Sequence, residues 1–238
     1  MKTWKKIVLG VSLISLFLGG GLVAWGYSQG GLTDLQNKTI SEQDYVKKEV
    51  KDFNKIDIKS SSYNVLIKNG EVDKATLSYY QKTKNPIDTS VKDGQLTIND
   101  NNSELDSTSN KHINFFGLKD LVRLSTLNKE VRNKTIVITL PKKQTIDFLK
   151  VDLATGNLDL SNSTIKQADI NLNVGDLTFT KMIVSNLKAN LDVGSVDSDH
   201  TLFTNSDLSI AMGDYSGDNL IFNGHNKLDV TSGDIEIV

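Results

Sequence analysis

The chain has no cysteine and only two prolines in 238 residues, and its aromatic side chains amount to 7%. Without cysteine there is no disulfide framework, no thiolate zinc centre, no thiol nucleophile and no lipid-bearing cysteine. So little proline excludes collagen-like and proline-rich architectures. The three histidines, His112, His200 and His225, argue against a histidine-dominated metal centre, and the few aromatics offer little for a deep cofactor pocket. The sequence carries neither the His-Glu-x-x-His motif nor a phosphate loop. Lys and Arg number 27 against 29 Asp and Glu, a net charge of −2, far from the basic balance of a general nucleic-acid binder. The expectation is a non-enzymatic protein with no catalytic residue, no cofactor, no metal and no nucleic-acid partner.

What the chain does have begins at its N-terminus. Lys2, Lys5 and Lys6 precede nineteen uncharged residues, Ile7 to Trp25. At 1.5 Å per residue a helix of that length spans roughly 28 Å, close to the ~30 Å hydrocarbon core of a bilayer. Trp25 and Tyr27 fall where an interfacial aromatic belt belongs, and the three lysines place the N-terminus inside and the remainder outside. A cleaved signal peptide is the competing reading, with Ala24 and Gly26 as small residues near a cleavage site. The length of the span and Trp25 between those two residues favour a retained signal-anchor. Residues 1–27 are therefore read as a single-pass transmembrane anchor or signal, and 28–52, polar and charged, as a juxtamembrane spacer. Within that spacer Ser41 and Asp44 also fit the start of a short helix.

From Phe53 the hydrophobic period becomes two. Ile56 and Ile58 alternate with charged residues, as do Tyr63, Val65 and Ile67, then Ala75, Leu77 and Tyr79, Leu96 and Ile98, and Ile136, Ile138 and Leu140. Short alternating runs between Asn, Gly, Asp and Lys predict half-buried strands. Beyond Pro141 a longer period appears. Gly156, Gly175, Gly194, Gly213 and Gly233 stand 19, 19, 19 and 20 residues apart. Three residues before each are Leu153, Leu172, Leu191, Ile210 and Val230, and five before are Val151, Ile170, Ala189, Leu208 and Leu228. Two after come Leu158, Leu177, Val196, Tyr215 and Ile235, and nine after come Ile165, Val184, Phe203 and Phe222.

Self-similarity at a short fixed period predicts stacked repeats. Nineteen residues at ~3.3 Å trace about 63 Å, enough for one closed coil of short strands. The expected fold is all-β, a single-stranded parallel β-solenoid of 19-residue coils over 53–238, with the glycines as structural corners. One coil buries too few side chains to offset its ordering entropy, so coils are stable only when stacked.

Asn99 to Asn133 interrupts this pattern. Its first half is polar. Its second half fits an amphipathic helix, with Phe116, Leu121, Leu124, Leu127 and Val131 on one face opposite Lys119, Arg123 and Glu130. Both arginines of the chain, Arg123 and Arg132, lie here. Such a segment either covers the solenoid or contacts a membrane or partner, with Phe115, Phe116, Lys119 and Arg123 as the contact residues.

Residues after the corner glycines, Asn157, Asp176, Ser195, Asp214 and Asp234, read as turn caps, since calcium-binding Gly-Gly-x-Gly-x-Asp repeats are absent. Asp152, Asn171, Asn190, Ser209 and Asp229, four before each glycine, read as an outward polar stack. Asp197, Asp199 and His200 cluster at an expected turn. Leu149 to Val238 holds 12 Asp and 1 Glu against 5 Lys, an acidic half that is either a soluble face or an attractor for cationic partners. Ser232-Gly-Asp-Ile-Glu-Ile-Val begins a fifth coil whose strand edge is either a frayed, charge-blunted end, the favoured reading, or open for oligomerisation or partner docking.

The membrane segment, Phe53-Asn-Lys-Ile-Asp-Ile, Ile136-Val-Ile-Thr-Leu-Pro-Lys and the Leu-x-Val-x-x-x-x-Gly-x-Leu-x-Leu repeats together resemble the bacterial "putative adhesin" β-strand-repeat domain of unknown function. The resemblance covers Phe53 to Val238. It implies a Gram-positive, membrane-anchored surface protein, often tied to cell-envelope stress regulation, with no catalytic residues. The expected role is envelope stress sensing or regulation through surface interactions, with an adhesin-like module for a host or cell-wall ligand as the alternative. Its expected partners are the plasma membrane, through residues 7–25, and a membrane protein or cell-wall polymer.

Overall fold

The computed structural model describes residues 43–82, 86–100 and 134–238. The proposed transmembrane span and the contact residues Phe115, Phe116, Lys119 and Arg123 lie outside these, as does Ser41. Among the described residues every regular element is a strand.

The N-terminal strands are β1 (Gln43–Glu49), β2 (Lys55–Ser60), β3 (Asn64–Gly70), β4 (Thr76–Lys82), β5 (Asp88–Lys92) and β6 (Gln95–Asn99). After residue 133 come β7 (Thr135–Pro141), β8 (Thr145–Ile146) and β9 (Phe148–Thr155). The coils follow as repeated triplets. The first is β10 (Leu158–Ser161), β11 (Thr164–Ile165) and β12 (Ala168–Val174), and the second β13 (Leu177–Thr180), β14 (Ile183–Ser185) and β15 (Leu187–Val193). The third is β16 (Val196–Asp199), β17 (Leu202–Thr204) and β18 (Asp207–Met212), and the fourth β19 (Tyr215–Asp218), β20 (Ile221–Asn223) and β21 (Lys227–Val230). β22 (Ile235–Ile237) opens the next turn.

Each coil contributes one strand to each of three sheets. The first runs β1-β4-β7-β3-β10-β13-β16-β19-β22, the second β8-β11-β14-β17-β20, and the third β5-β6-β2-β9-β12-β15-β18-β21. Successive coils pair in parallel at the repeat offset, as in Leu172↔Leu191 and Val184↔Phe203. The apolar columns therefore point inward as continuous ladders. Leu153, Leu172, Leu191 and Ile210 are all buried in one core cluster with Leu158, Phe179 and Val184. Phe179 and Phe203 meet edge to face at 5.3 Å, and Phe203 stacks on Phe222 at 5.9 Å.

The parallel stack does not extend over the whole of 53–238. β4 pairs antiparallel with both β1 and β7, and β5 with β6. For β5 and β6 a short turn dictates it: Asp93 and Gly94, both at positive φ, close a tight hairpin that cannot join parallel strands. Part of the expected spacer is also strand. β1, with its charged sequence Gln-Asp-Tyr-Val-Lys-Lys-Glu, joins the exposed edge of β4, Tyr45 packing on Tyr80 at 4.9 Å between ring centroids. Val50 follows it into the core and donates its N–H to the Ala75 carbonyl at 2.8 Å. Asn99, taken as the first residue of the insertion, is the last residue of β6.

Candidate interaction surfaces

The corners are set by backbone geometry. Gly156, Gly175, Gly194, Gly213 and Gly233 have φ between +143° and +152°, where a side chain is strained. They also stack directly: a Cβ on Gly194 would lie 1.9 Å from the Gly175 carbonyl oxygen, and one on Gly213 2.0 Å from that of Gly194. A second corner repeats at Asn162, Lys181, His200 and Asn219, all left-handed with φ of +48° to +54°. A third includes Asn186, Asn205 and Gly224, at φ of +49°, +54° and +68°. The single 20-residue spacing falls at this third corner. Thr204 pairs with Asn223 nineteen residues on, and Asp207 with Lys227 twenty on, so the extra residue lies within 224–226.

The residue after each corner glycine ties one coil to the next. Asn157 Oδ1 accepts from the Asp176 N–H at 3.0 Å, Asp176 Oδ1 from Ser195 at 2.9 Å, and Asp214 Oδ1 from Asp234 at 2.9 Å. These side chains cap backbone donors in the manner expected of Asx turns, but across coils. The outward stack is real for one pair, Asn190 Nδ2 donating to Asn171 Oδ1 at 3.0 Å. Among the described residues no three His, Asp or Glu side chains are grouped to hold a metal ion. Asp199 Oδ1 lies 2.6 Å from His200 Nδ1 at the exposed end of β16, in which Asp197 stands two residues earlier opposite Ser216.

Two features were not read from the sequence. On the outer face of the third sheet, register aligns Asp57, Lys150, Asp169, Lys188, Asp207 and Lys227 in one row. Charge alternates at every rung, so each coil meets opposite charge above and below. The signal stood in the sequence six residues before each corner glycine. On the outer face of the first sheet, Leu66, Asp159 and Thr178 are neighbours and buried, whereas Asp197 and Ser216 in the same row are exposed. Asp159 Oδ2 has no hydrogen-bond partner among the described residues. Burial pushes its carboxyl up to about 7, with a contribution from Asp176, against the opposing effect of a Thr178 hydrogen bond.

The fourth coil and β22 expose positions that earlier coils bury at Phe222, Ile235 and Ile237, whereas Ile221 continues the outward column of Leu202 and the exposed Ile183. Ile221 is 57% exposed, Phe222 47%, Ile235 51% and Ile237 51%. Beneath them a cavity of about 350 Å³ is lined by Phe203, Leu208, Tyr215, Phe222, Leu228 and Ile237. β20, β21 and β22 are each the edge of their sheet, so their outer backbone groups are not engaged in a sheet ladder. Apolar surface, a concavity and three strand edges coincide at this end.

No functionally curated protein matches the chain. Among solved structures, a "putative cell adhesion protein" from Clostridium sporogenes is 14% identical, with 82% of this chain and 99% of that one covered at a TM-score of 0.39. A "putative adhesin" from Bacteroides fragilis is 17% identical, with 84% and 98% covered at 0.37. A "putative lipid binding protein" from Parabacteroides distasonis is 12% identical, with 82% and 96% covered at 0.32. Such similarities say nothing of what this chain binds. The family model for the Toastrack domain DUF4097 matches residues 53–238, from the first alternating strand through every coil, and the chain belongs to that family.

Proposed function

We propose that the chain is a non-enzymatic binding module of the cell surface, held in the plasma membrane by residues 7–25 with its coils outside, that acts in cell-envelope stress sensing or regulation. The observation that carries a binding role is the apolar end of the stack. Exposed apolar surface beside a concavity marks a protein-interaction site, and Ile221, Phe222, Ile235 and Ile237 are exposed at the end of the stack that holds the cavity. Elsewhere in the coils the corner side chains bond from one coil to the next, and the outer row of the third sheet alternates in charge. The nineteen uncharged residues behind Lys2, Lys5 and Lys6 support the anchor.

The test is a deletion strain complemented with the native chain or with Phe222→Asp plus Ile237→Asp, reading an envelope-stress reporter under cell-wall challenge. The native chain restores the response and the double variant, still folded, does not. A response indifferent to deletion, with attachment to a cell-wall or host ligand lost instead, replaces regulation with adhesion. Fractionation tests the anchor: the chain is expected with membranes, and removal of residues 1–27 releases it.

A further inference from the structure

We infer that the apolar end of the stack docks against the same end of a second copy, an inference that rests on the reading of that end as the contact surface. The edges are self-complementary. Laid antiparallel on its own copy and centred on Leu228, β21 sets Leu228 opposite the partner's Leu228 on the inward face. On the outward face the same register sets Lys227 opposite the partner's Asp229, twice by symmetry. Within one chain Lys227 Nζ lies 3.6 Å from Asp229 Oδ2 with both side chains more than half exposed, so both are available to a partner. A two-fold axis through the middle of β21 exchanges the other two sides of a three-sided coil, laying β22 against the partner's β20. β20 is Ile221-Phe222-Asn223, without charge, so Glu236 meets no like charge there. Ile235 and Ile237 then meet Phe222 over the two cavities.

The contact continues what already holds the coils together: ladder hydrogen bonds, inward apolar columns and alternating charge along the outer row. The row ends on Lys227, and a two-fold contact extends it with the partner's Asp229, the opposite sign. An isologous interface closes after two subunits and removes all three edges at once.

The test uses full-length protein in mild detergent, with mass read by light scattering over a concentration series. The native chain dimerises. Lys227→Asp and Asp229→Lys, each placing like charges opposite one another, weaken the dimer by about tenfold or more, and combining them restores it. Because the chain has no cysteine, Leu228→Cys supplies a second reading: opposite Cβ atoms in an antiparallel pair lie about 4.5–5.5 Å apart, and mild oxidation yields a reducible covalent dimer. A native chain monomeric at every concentration, or a charge exchange that fails to restore what the single changes removed, overturns the inference. If the chain is monomeric while Phe222→Asp still abolishes the stress response, the end remains a contact surface and only the second copy is discarded.

Discussion

At the scale of single residues the fold depends on a few backbone and burial conditions. Gly194 is fixed twice, by a φ of +149° and by the Gly175 carbonyl in the space a side chain would occupy. Gly194→Ala is expected to lower stability by at least about 2 kcal/mol, measured by chemical denaturation. Lys181 holds a left-handed conformation that Asn162 and Asn219 adopt at the equivalent corners, at φ of +51° and +53°. Asn tolerates that region better than Lys, so Lys181→Asn should raise the unfolding midpoint by an amount corresponding to about 0.5–1 kcal/mol. Asp159 works in the other direction. Its folded pKa of about 7 exceeds the ordinary 3.8, so between these values the folded state keeps a proton that the unfolded state has lost. Stability therefore falls as pH rises through that window and is flat above it. Asp159→Asn should remove the slope and stabilise the protein by about 1–3 kcal/mol above pH ~7, seen in urea titrations across pH.

At the scale of strands and coils, what was legible in the sequence follows from what repeats. The glycine corners and the apolar columns share one chemistry at every copy, because each position meets its own kind in the coil above. The second corner was hidden since Asn162, Lys181, His200 and Asn219 share a backbone conformation but not one side-chain type. The charge row was hidden for the opposite reason: its residues alternate in sign, and a search for sameness passes over them. β4 was visible as a strand from Ala75, Leu77 and Tyr79, but alternation is blind to direction, and its antiparallel pairing with β7 was not. β1 has almost no apolar face of its own; its pairing with β4 provides the order. Two substitutions probe this scale. Leu191→Asp buries a charge in the inward column and should cost more than about 3 kcal/mol. Lys188→Asp leaves three acids in a row with Asp169 and Asp207 and should cost about 1 kcal/mol, partly recovered by salt, in thermal unfolding at two ionic strengths.

At the scale of the whole described stack, successive coils pair rung on rung, and among the described residues β20, β21 and β22 are each the edge of a sheet. The proposed contact surface is accordingly an end of the stack rather than a groove or a cluster of reactive groups. The register on which this rests has a simple metric signature. Thr97 and Lys188 occupy the same row of the third sheet four rungs apart, and Thr97 and Lys227 six rungs apart. In a chain without native cysteine, spin labels at Thr97→Cys paired with Lys188→Cys or with Lys227→Cys read these distances by pulsed electron resonance. At ~4.8 Å per rung the separations between attachment points are about 19 and 29 Å. An increase of about 10 Å between the two pairs is the expected result. Equal distances, or a shorter one for Lys227, would mean that the strands do not follow one another in a single stack, and would contradict the account.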